Sequence, residues 1–413
     1  MTREHKPSLT PKLRFPEFRN APAWETKTLG SLATISTEKV GDNDCVPMSI
    51  TSGVGLVSQM EKYGRVIAGD SYKNYLLLKK NDFAYNKSAT KEYPEGFIAM
   101  YSGEALAAVP NSIFTCFCIN GDSPLPQYLN YLLRGNLHGQ WLRKFIEVGA
   151  RAHGSLSIDE DDLLALPVPL PGGKTTRVEQ QKIAECLSTL DELIGAEGWK
   201  LDALKAHKKG LMQQLFPREG KTIPLLRFPE FHSAPEWKAK TLVNACDLQA
   251  GKFVRATDIK EQPSDGLFSC YGGNGLRGYT STHTHEGVYP LVGRQGALCG
   301  NVKFCSGKFH ATEHALVGTP KANIDVIWLY YALDWLNLNR FATGQAQPGL
   351  SVDVLEKVPL AIPDEVAEQH RIATCLTSLD GLISAQSDRL AALQTHKQGL
   401  LQQLFPSLAG FEA

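Results

Sequence analysis

Glu179–Pro217 reads EQQKIAECLSTLDELIGAEGWKLDALKAHKKGLMQQLFP, and Glu368–Pro406 reads EQHRIATCLTSLDGLISAQSDRLAALQTHKQGLLQQLFP. The two stretches align without a gap and are identical at more than half of their positions. Apolar residues recur at alternating steps of three and four, the 3.5-residue period of a left-handed coiled-coil seam. In the first copy the seam is Ile183, Leu187, Leu190, Ile194, Glu197, Leu201, Leu204, Lys208, Leu211 and Leu215. In the second it is Ile372, Leu376, Leu379, Ile383, Gln386, Leu390, Leu393, Lys397, Leu400 and Leu404. Pro217 and Pro406 stop the helices, because proline cannot continue the hydrogen-bond ladder.

The polar seam positions suggest a register. If the copies pair antiparallel, one alignment sets Glu197 against Lys397 and Lys208 against Gln386, with Leu190 near Leu404, Leu204 near Leu390 and Leu211 near Ile383. Sliding by a heptad would leave charge in the seam, which is costly. The expected overlap of about 30 residues gives a rod of roughly 45 Å at 1.5 Å per residue.

A second repeat precedes each globular region. Leu13–Trp24 is LRFPEFRNAPAW and Leu226–Trp237 is LRFPEFHSAPEW. Each region also closes alike, with Gly149-Ala-Arg-Ala-His-Gly-Ser-Leu-Ser matching Gly344-Gln-Ala-Gln-Pro-Gly-Leu-Ser, followed by a proline-flanked apolar strand. The chain is therefore one unit written twice. The expected class is α+β: two mixed α/β regions joined by an antiparallel pair of long coiled-coil helices, with an internal pseudo-twofold repeat. The boundaries read as 1–23 (a segment closing on the end of the second helix), 24–172, 173–225, 226–364 and 365–413. By the same logic Phe15 should lie near Phe405. Strands are expected at Tyr75–Leu78, Ser112–Ile119, Gly287–Val292 and Gly300–Phe304, and helices at Leu125–Leu133, Gly139–Val148 and Ile324–Leu338.

The 413 residues exceed one ordinary core. With 43 basic and 43 acidic residues the balance is neutral, so only a clustered basic patch would point to nucleic acid. The start, MTREHKPSLTPKLRF, has no apolar core of a signal peptide, and no run approaches a membrane span, so a cytoplasmic protein is expected. Nine cysteines without a framework spacing read as free thiols.

The LRFPEF openings, the matched region endings and the paired Glu-Gln-x-x-Ile-Ala starts with Gln-Gln-Leu-Phe-Pro ends together resemble the specificity subunit of a type I restriction–modification system. Tyr271-Gly-Gly-Asn-Gly-Leu-Arg-Gly-Tyr-Thr and Gly293-Arg-Gln-Gly-Ala-Leu-Cys-Gly-Asn-Val are similar to stretches of that family's target-recognition domains. The resemblance covers nearly the whole chain. It implies that each globular region is a target-recognition domain reading one half of an asymmetric bipartite site on double-stranded DNA. It also implies that the helix pair sets the spacer and holds two methyltransferase subunits, which carry S-adenosylmethionine and methylate adenine at N6. Two restriction/motor subunits using ATP and Mg would cut unmodified DNA. The chain itself would be non-catalytic and hold no cofactor. The alternative is a coiled-coil adaptor that joins proteins without reading DNA.

The residues agree with the absence of chemistry in this chain: it has no phosphate-binding Gly-x-x-x-x-Gly-Lys-Ser/Thr loop, dinucleotide fingerprint or Asn/Asp-Pro-Pro-Tyr/Phe motif. Cys299, Cys305, His310 and His314 are metal-ligand types, but their spacing is wider than a zinc knuckle, and no metal is assigned. Base edges and phosphates are read by Arg, Lys, Asn and Gln, and by backbone-facing cations. The first region's candidates are Lys62 with its neighbour Tyr63, Arg65, Asn86, Lys87, Lys91, Arg151 and His153. The second region's are Lys252, Arg255, Tyr271, Asn274, Arg277, Arg294, Gln295, Gln345 and Gln347. Asn86-Lys87 and Arg294-Gln295 lead, because each follows an apolar strand and sits among small or polar residues. Trp24, Trp237, Phe15, Phe18, Phe228 and Phe231 read as packing residues at the junctions.

Overall fold

A computed structural model describes residues 9–51, 53–146, 156, 158–344 and 348–406. The strands of the first half are β1 (Glu25–Thr28), β2 (Ala33–Ser36), β3 (Val46–Thr51), β4 (Gly55–Ser58), β5 (Leu76–Leu78), β6 (Phe83–Asn86), β7 (Phe97–Met100), β8 (Ala107–Val109), β9 (Phe114–Ile119) and β10 (Pro167–Leu170). Its helices are α1 (Leu29–Leu32), α2 (Gln59–Tyr63), α3 (Pro126–Arg134), α4 (Leu137–Leu142), α5 (Glu160–Leu164) and the long α6 (Thr176–Leu215). The second half has β11 (Lys238–Thr241), β12 (Cys246–Ala250), β13 (Phe268–Gly272), β14 (Gly275–Thr280), β15 (His285–Gly293), β16 (Val302–Ala311), β17 (Ala315–Pro320) and β18 (Pro359–Ile362), with α7 (Val326–Trp335), α8 (Val352–Leu355) and the long α9 (Val366–Leu404). No helix among the described residues is long and apolar enough to cross a membrane.

The chain divides into two compact units, and each long helix is shared out between them. Unit one takes residues up to Glu197 and from Arg389 on; unit two takes Gly198–Asp388. Unit one holds two four-stranded sheets, β2-β9-β6-β7 and β4-β3-β8-β5, and the antiparallel ribbon β1-β10. Unit two holds a six-stranded sheet, β12-β17-β15-β16-β13-β14, and the matching ribbon β11-β18. The ribbons are the proline-flanked strands paired with the residues just after each tryptophan, for example Lys27 with Val168 and Lys240 with Leu360.

The paired sequence motifs resolve into one joint built twice. In unit one the Arg14 guanidinium grips Glu179 with two bonds of 2.8 Å, while its remaining N–H groups donate to the Ala21 and Pro22 carbonyls. The Trp24 indole N–H donates to the same carboxylate at 3.2 Å. In unit two Arg227 holds Glu368 with two bonds of 2.7 Å, and Trp237 donates to it at 3.1 Å. Both carboxylates are 1% exposed, so they need these donors. The glutamine that follows each one secures the recognition side. Gln180 accepts from the Leu125 N–H ahead of α3, and Gln369 accepts from the Asp325 N–H ahead of α7. The Arg of the opening motif, the Trp after it and the Glu-Gln helix start are thus parts of a single buried network.

In unit one the opening motif bonds to the last turn of α9. The Leu13 N–H donates to the Gln403 carbonyl at 2.9 Å, and Phe405 packs edge-on to Tyr128 at 5.5 Å. Leu226 repeats the bond to Gln214 in unit two. Trp24, Phe18, Trp237 and Phe231 are buried, with Phe15 and Phe228 packed against the two cores.

The expected helix register is corrected. Glu197 pairs with Arg389, about two turns along α9 from Lys397, and Lys397 pairs with Asp191. In unit two Lys208 pairs with Asp380 rather than facing Gln386 alone. The pairing is antiparallel but displaced by about one heptad. The physical reason is reach. Asp191 and Asp380 flank the seam rather than occupy it, and from there they satisfy the lysines once the register has moved them away from Glu197 and Gln386. Every seam residue from Leu190 to Leu211 and from Leu379 to Leu400 is still buried or half-buried.

Two element expectations also change. The helix expected over Gly139–Val148 is Leu137–Leu142, after which Lys144 and Phe145 bond back three residues in tight turns; residues 147 and 148 lie outside the described set. The strand expected at Gly300–Phe304 is the ten-residue β16, whose polar outer positions mask its length in the sequence.

Candidate nucleic-acid interface

In unit two, strand pairing gathers candidates that are far apart in the chain. Tyr271 pairs with Ala311 across β13 and β16, and the Thr312 N–H donates to the Tyr271 carbonyl at 2.8 Å. The Lys252 N–H donates to Ala311, which brings the loop after β12 to the same end of the sheet. The Arg294 N–H donates to the His314 carbonyl at 2.8 Å. Lys252, Tyr271, Asn274, Arg277, Arg294 and Gln295 therefore converge. Arg255 lies further out in the same loop, exposed and paired with Asp258 at 2.9 Å.

Glycine makes this convergence possible. A Cβ on Gly293 would lie 2.0 Å from the Gly273 carbonyl oxygen, and one on Gly273 would lie 3.1 Å from the carbonyls of both Gln295 and His314. The β13–β14 hairpin and the turn after β15 approach too closely for any side chain between them.

Unit one builds the same lattice at Lys87. There the Leu156 N–H donates to the Lys87 carbonyl and the Lys87 N–H donates to Ile113; in unit two the Leu350 N–H donates to the Arg294 carbonyl. Lys87 and Arg294 are thus equivalent positions, each just past the end of a buried strand and each stitched to the segment that ends its region. Arg151, His153, Gln345 and Gln347 lie outside the described residues.

The other unit-one candidates have different settings. Asn86 is buried, and its side chain accepts from the Ser88 N–H at 2.9 Å, so it shapes the turn that presents Lys87. Lys91 is exposed in the loop between β6 and β7. Lys62 and Arg65 are exposed beside the other sheet, with the Lys62 ammonium donating to the Ile50 carbonyl at 2.5 Å and Tyr63 bonded to Ser49. Lys87, in contrast, follows β6 of the β2-β9-β6-β7 sheet.

The β6–β7 loop is anchored from beneath. Arg143 donates to Glu95, which is 2% exposed, and His138 places Nε2 3.2 Å from the Gly96 carbonyl. Full burial pushes His138 down to about 4. The imidazole is therefore neutral in the fold, whereas an unfolded histidine takes a proton below roughly pH 6.5. Stability is retained above that value and lost as pH falls from about 6.5 towards 4. Between pH 7 and pH 5 the loss should be about 2 kcal/mol. Urea unfolding at the two pH values should show it, and His138→Gln should flatten that part of the profile.

Two further residues stand beside these candidates: Phe253, 71% exposed between Lys252 and Arg255, and His314, whose residue type alone points to metal. An exposed aromatic flanked by two cations is a visible signal, but Phe usually signals core. His314 sits beside Glu313 at 3.3 Å on the Arg294 turn. Of the other metal-type residues, His310 has both ring nitrogens engaged, by Thr282 and by the Lys252 carbonyl. Burial raises the Cys305 thiol to about 12. No cluster of three metal-ligating groups occurs among the described residues, and all nine cysteines are free.

Comparisons with known proteins follow the same lines. A family model described as the type I restriction modification DNA specificity domain matches residues 236–395. The Escherichia coli type I restriction enzyme EcoprrI specificity subunit is 33% identical over 308 residues, 71% of this chain and 74% of that protein. A putative type I restriction enzyme MjaX specificity subunit from Methanocaldococcus jannaschii is 24% identical over 336 residues, 75% of this chain and 74% of that protein. Among solved structures, the S subunit of a type I restriction–modification system from M. genitalium superposes with a TM-score of 0.62 at 17% identity, covering 97% of this chain and all of its own. A chain from a structure concerned with assembly and conformational transition of the type I system gives 0.57 at 17% identity, covering 93% of this chain and 98% of its own.

Proposed function

This chain belongs to the specificity-subunit family of type I restriction–modification systems, and from that premise we propose how it divides the work of reading DNA. Each recognition region, 24–172 and 226–364, reads one half of an asymmetric bipartite target on double-stranded DNA. The antiparallel helix pair spaces the two readers and docks two methyltransferase subunits. Two restriction/motor subunits complete the complex. S-adenosylmethionine belongs to the methyltransferases, and ATP with Mg to the motors, so this chain contributes recognition and no catalytic group.

The observation that carries this reading is the shared lattice at Lys87 and Arg294. The two positions make the same pair of backbone bonds while their side chains differ, as expected of two readers with different half-sites. The neutral overall charge is compatible, because the cations of unit two are gathered locally. The docking role is supported by apolar side chains that the helices leave outside the seam: Leu193 and Leu382 at equivalent positions, and Trp199 at 81% exposure.

Two measurements test the reading. A gel shift with the methyltransferase partner should show specific binding that weakens steeply with salt; no binding at any salt would favour a protein-only adaptor. Arg294→Ala should cost about 1–3 kcal/mol of discrimination at one base pair of one half-site and leave the other half-site unchanged. Sequencing of modified adenines in a host carrying the variant reports both, and an unaltered modification pattern would remove Arg294 from the interface.

A further inference from the structure

Besides Glu197 and Gln386, each seam carries one lysine, and the two lysines are used the same way. In unit one Lys397 of α9 binds Asp191 of α6, and the Tyr131 hydroxyl of α3 donates to the same carboxylate at 2.9 Å. In unit two Lys208 of α6 binds Asp380 of α9 at 2.6 Å, and the Tyr331 hydroxyl of α7 donates to it at 2.7 Å. The lysine side chains are 18% and 17% exposed, and each ammonium also lies over its tyrosine ring, at 5.8 and 5.2 Å. One carboxylate therefore ties three elements together: a recognition-region helix and both long helices.

This arrangement has a geometric consequence. Leucine contacts along a seam tolerate small rotations and slides, because apolar attraction has no direction. A charge-assisted bond to a half-buried carboxylate does have direction. We propose that Asp191 and Asp380 are spacer-determining positioning residues: they fix the seat of each recognition region on the helix pair, and through it the number of unread base pairs between the half-sites. The proposal rests on the reading of the helix pair as a spacer. The lever is short but sufficient. A domain of this size has a radius of gyration of about 15 Å, so a tilt of roughly 13° moves a point at that distance by about 3.4 Å, one base-pair step.

The test uses the full complex with its methyltransferase partner, expressed in a host without adenine methylation, with modified adenines mapped by single-molecule sequencing. The wild-type chain should mark one bipartite motif with one spacer; a motif without a constant spacer would sink the spacer reading itself, before any variant is compared. Asp191→Asn and Asp380→Asn should keep both half-site sequences and raise methylation at spacers one base pair longer or shorter at least ten-fold relative to the native spacer. Lys208→Met, which leaves Asp380 bonded to Tyr331, should give a smaller shift of the same kind. Methylation confined to the native spacer in all three variants, or falling alike at every spacer in all of them, would overturn the assignment, since a purely structural role lowers yield without changing spacing.

Discussion

Glu368→Ala should lower the stability of unit two by about 3–5 kcal/mol, the cost of leaving a buried partner charge uncompensated. The Arg227 side chain is 12% exposed and spends two of its donors on this carboxylate. Removing the carboxylate also strands the Trp237 indole N–H, which is buried among Phe216 and Trp328. Denaturant unfolding followed by tryptophan fluorescence should show a lowered midpoint. Glu368→Gln, which keeps an acceptor for Trp237, should lose less. A paired Arg227→Met and Glu368→Leu change should recover most of the loss, because an apolar replacement of a whole buried pair is often tolerated. A loss below about 1 kcal/mol for Glu368→Ala would place the ion pair in the class of solvent-screened surface contacts, against its burial.

Phe405→Ala should destabilise unit one by about 3–5 kcal/mol. Phe405 is 7% exposed and shares a core with Trp24, Tyr128 and Ile183. Here it closes the first recognition region, next to the bond between Leu13 and Gln403. Hydrogen exchange should therefore accelerate in α3 and in the segment 13–24, while unit two keeps its protection. The internal control is Phe216→Ala, the equivalent position, which contacts Trp237, Trp328 and Trp335 at 6.1–6.3 Å and should reverse the pattern. Equal effects of both variants on both units would show that the units do not unfold separately.

Much of this architecture is legible in the residues. The repeat, the two long helices, their proline stops and the closure at Phe405 follow from periodicity and from comparing one half of the chain with the other. Both halves carry Arg, Trp, Glu and Gln at matching places, so a shared structural job could be anticipated. The identity of that job, one carboxylate held by a guanidinium and an indole, could not, since its parts are separated by 165 and 141 positions.

The candidate interface divides the same way. Arg294 and Lys87 stand out in the sequence because each follows an apolar strand. Their equivalence emerges only when the Leu156 and Leu350 amides reach back to them. Asn86 carries the right chemistry for a base edge, yet its carbonyl oxygen is used within its own turn, and a sequence does not display how a short polar side chain is already engaged.

What the sequence determined by itself is periodic and local: helices where apolar residues recur every three or four positions, ends where proline stands, and a fold written twice. The register of those helices and the gathering of Lys252, Tyr271, Arg294 and His314 were decided by tertiary structure. A leucine seam is nearly the same after every heptad, so its energy cannot distinguish one alignment from the next. The choice falls to carboxylates beside the seam and tyrosines from another element, whose reach exists only once the chain has folded.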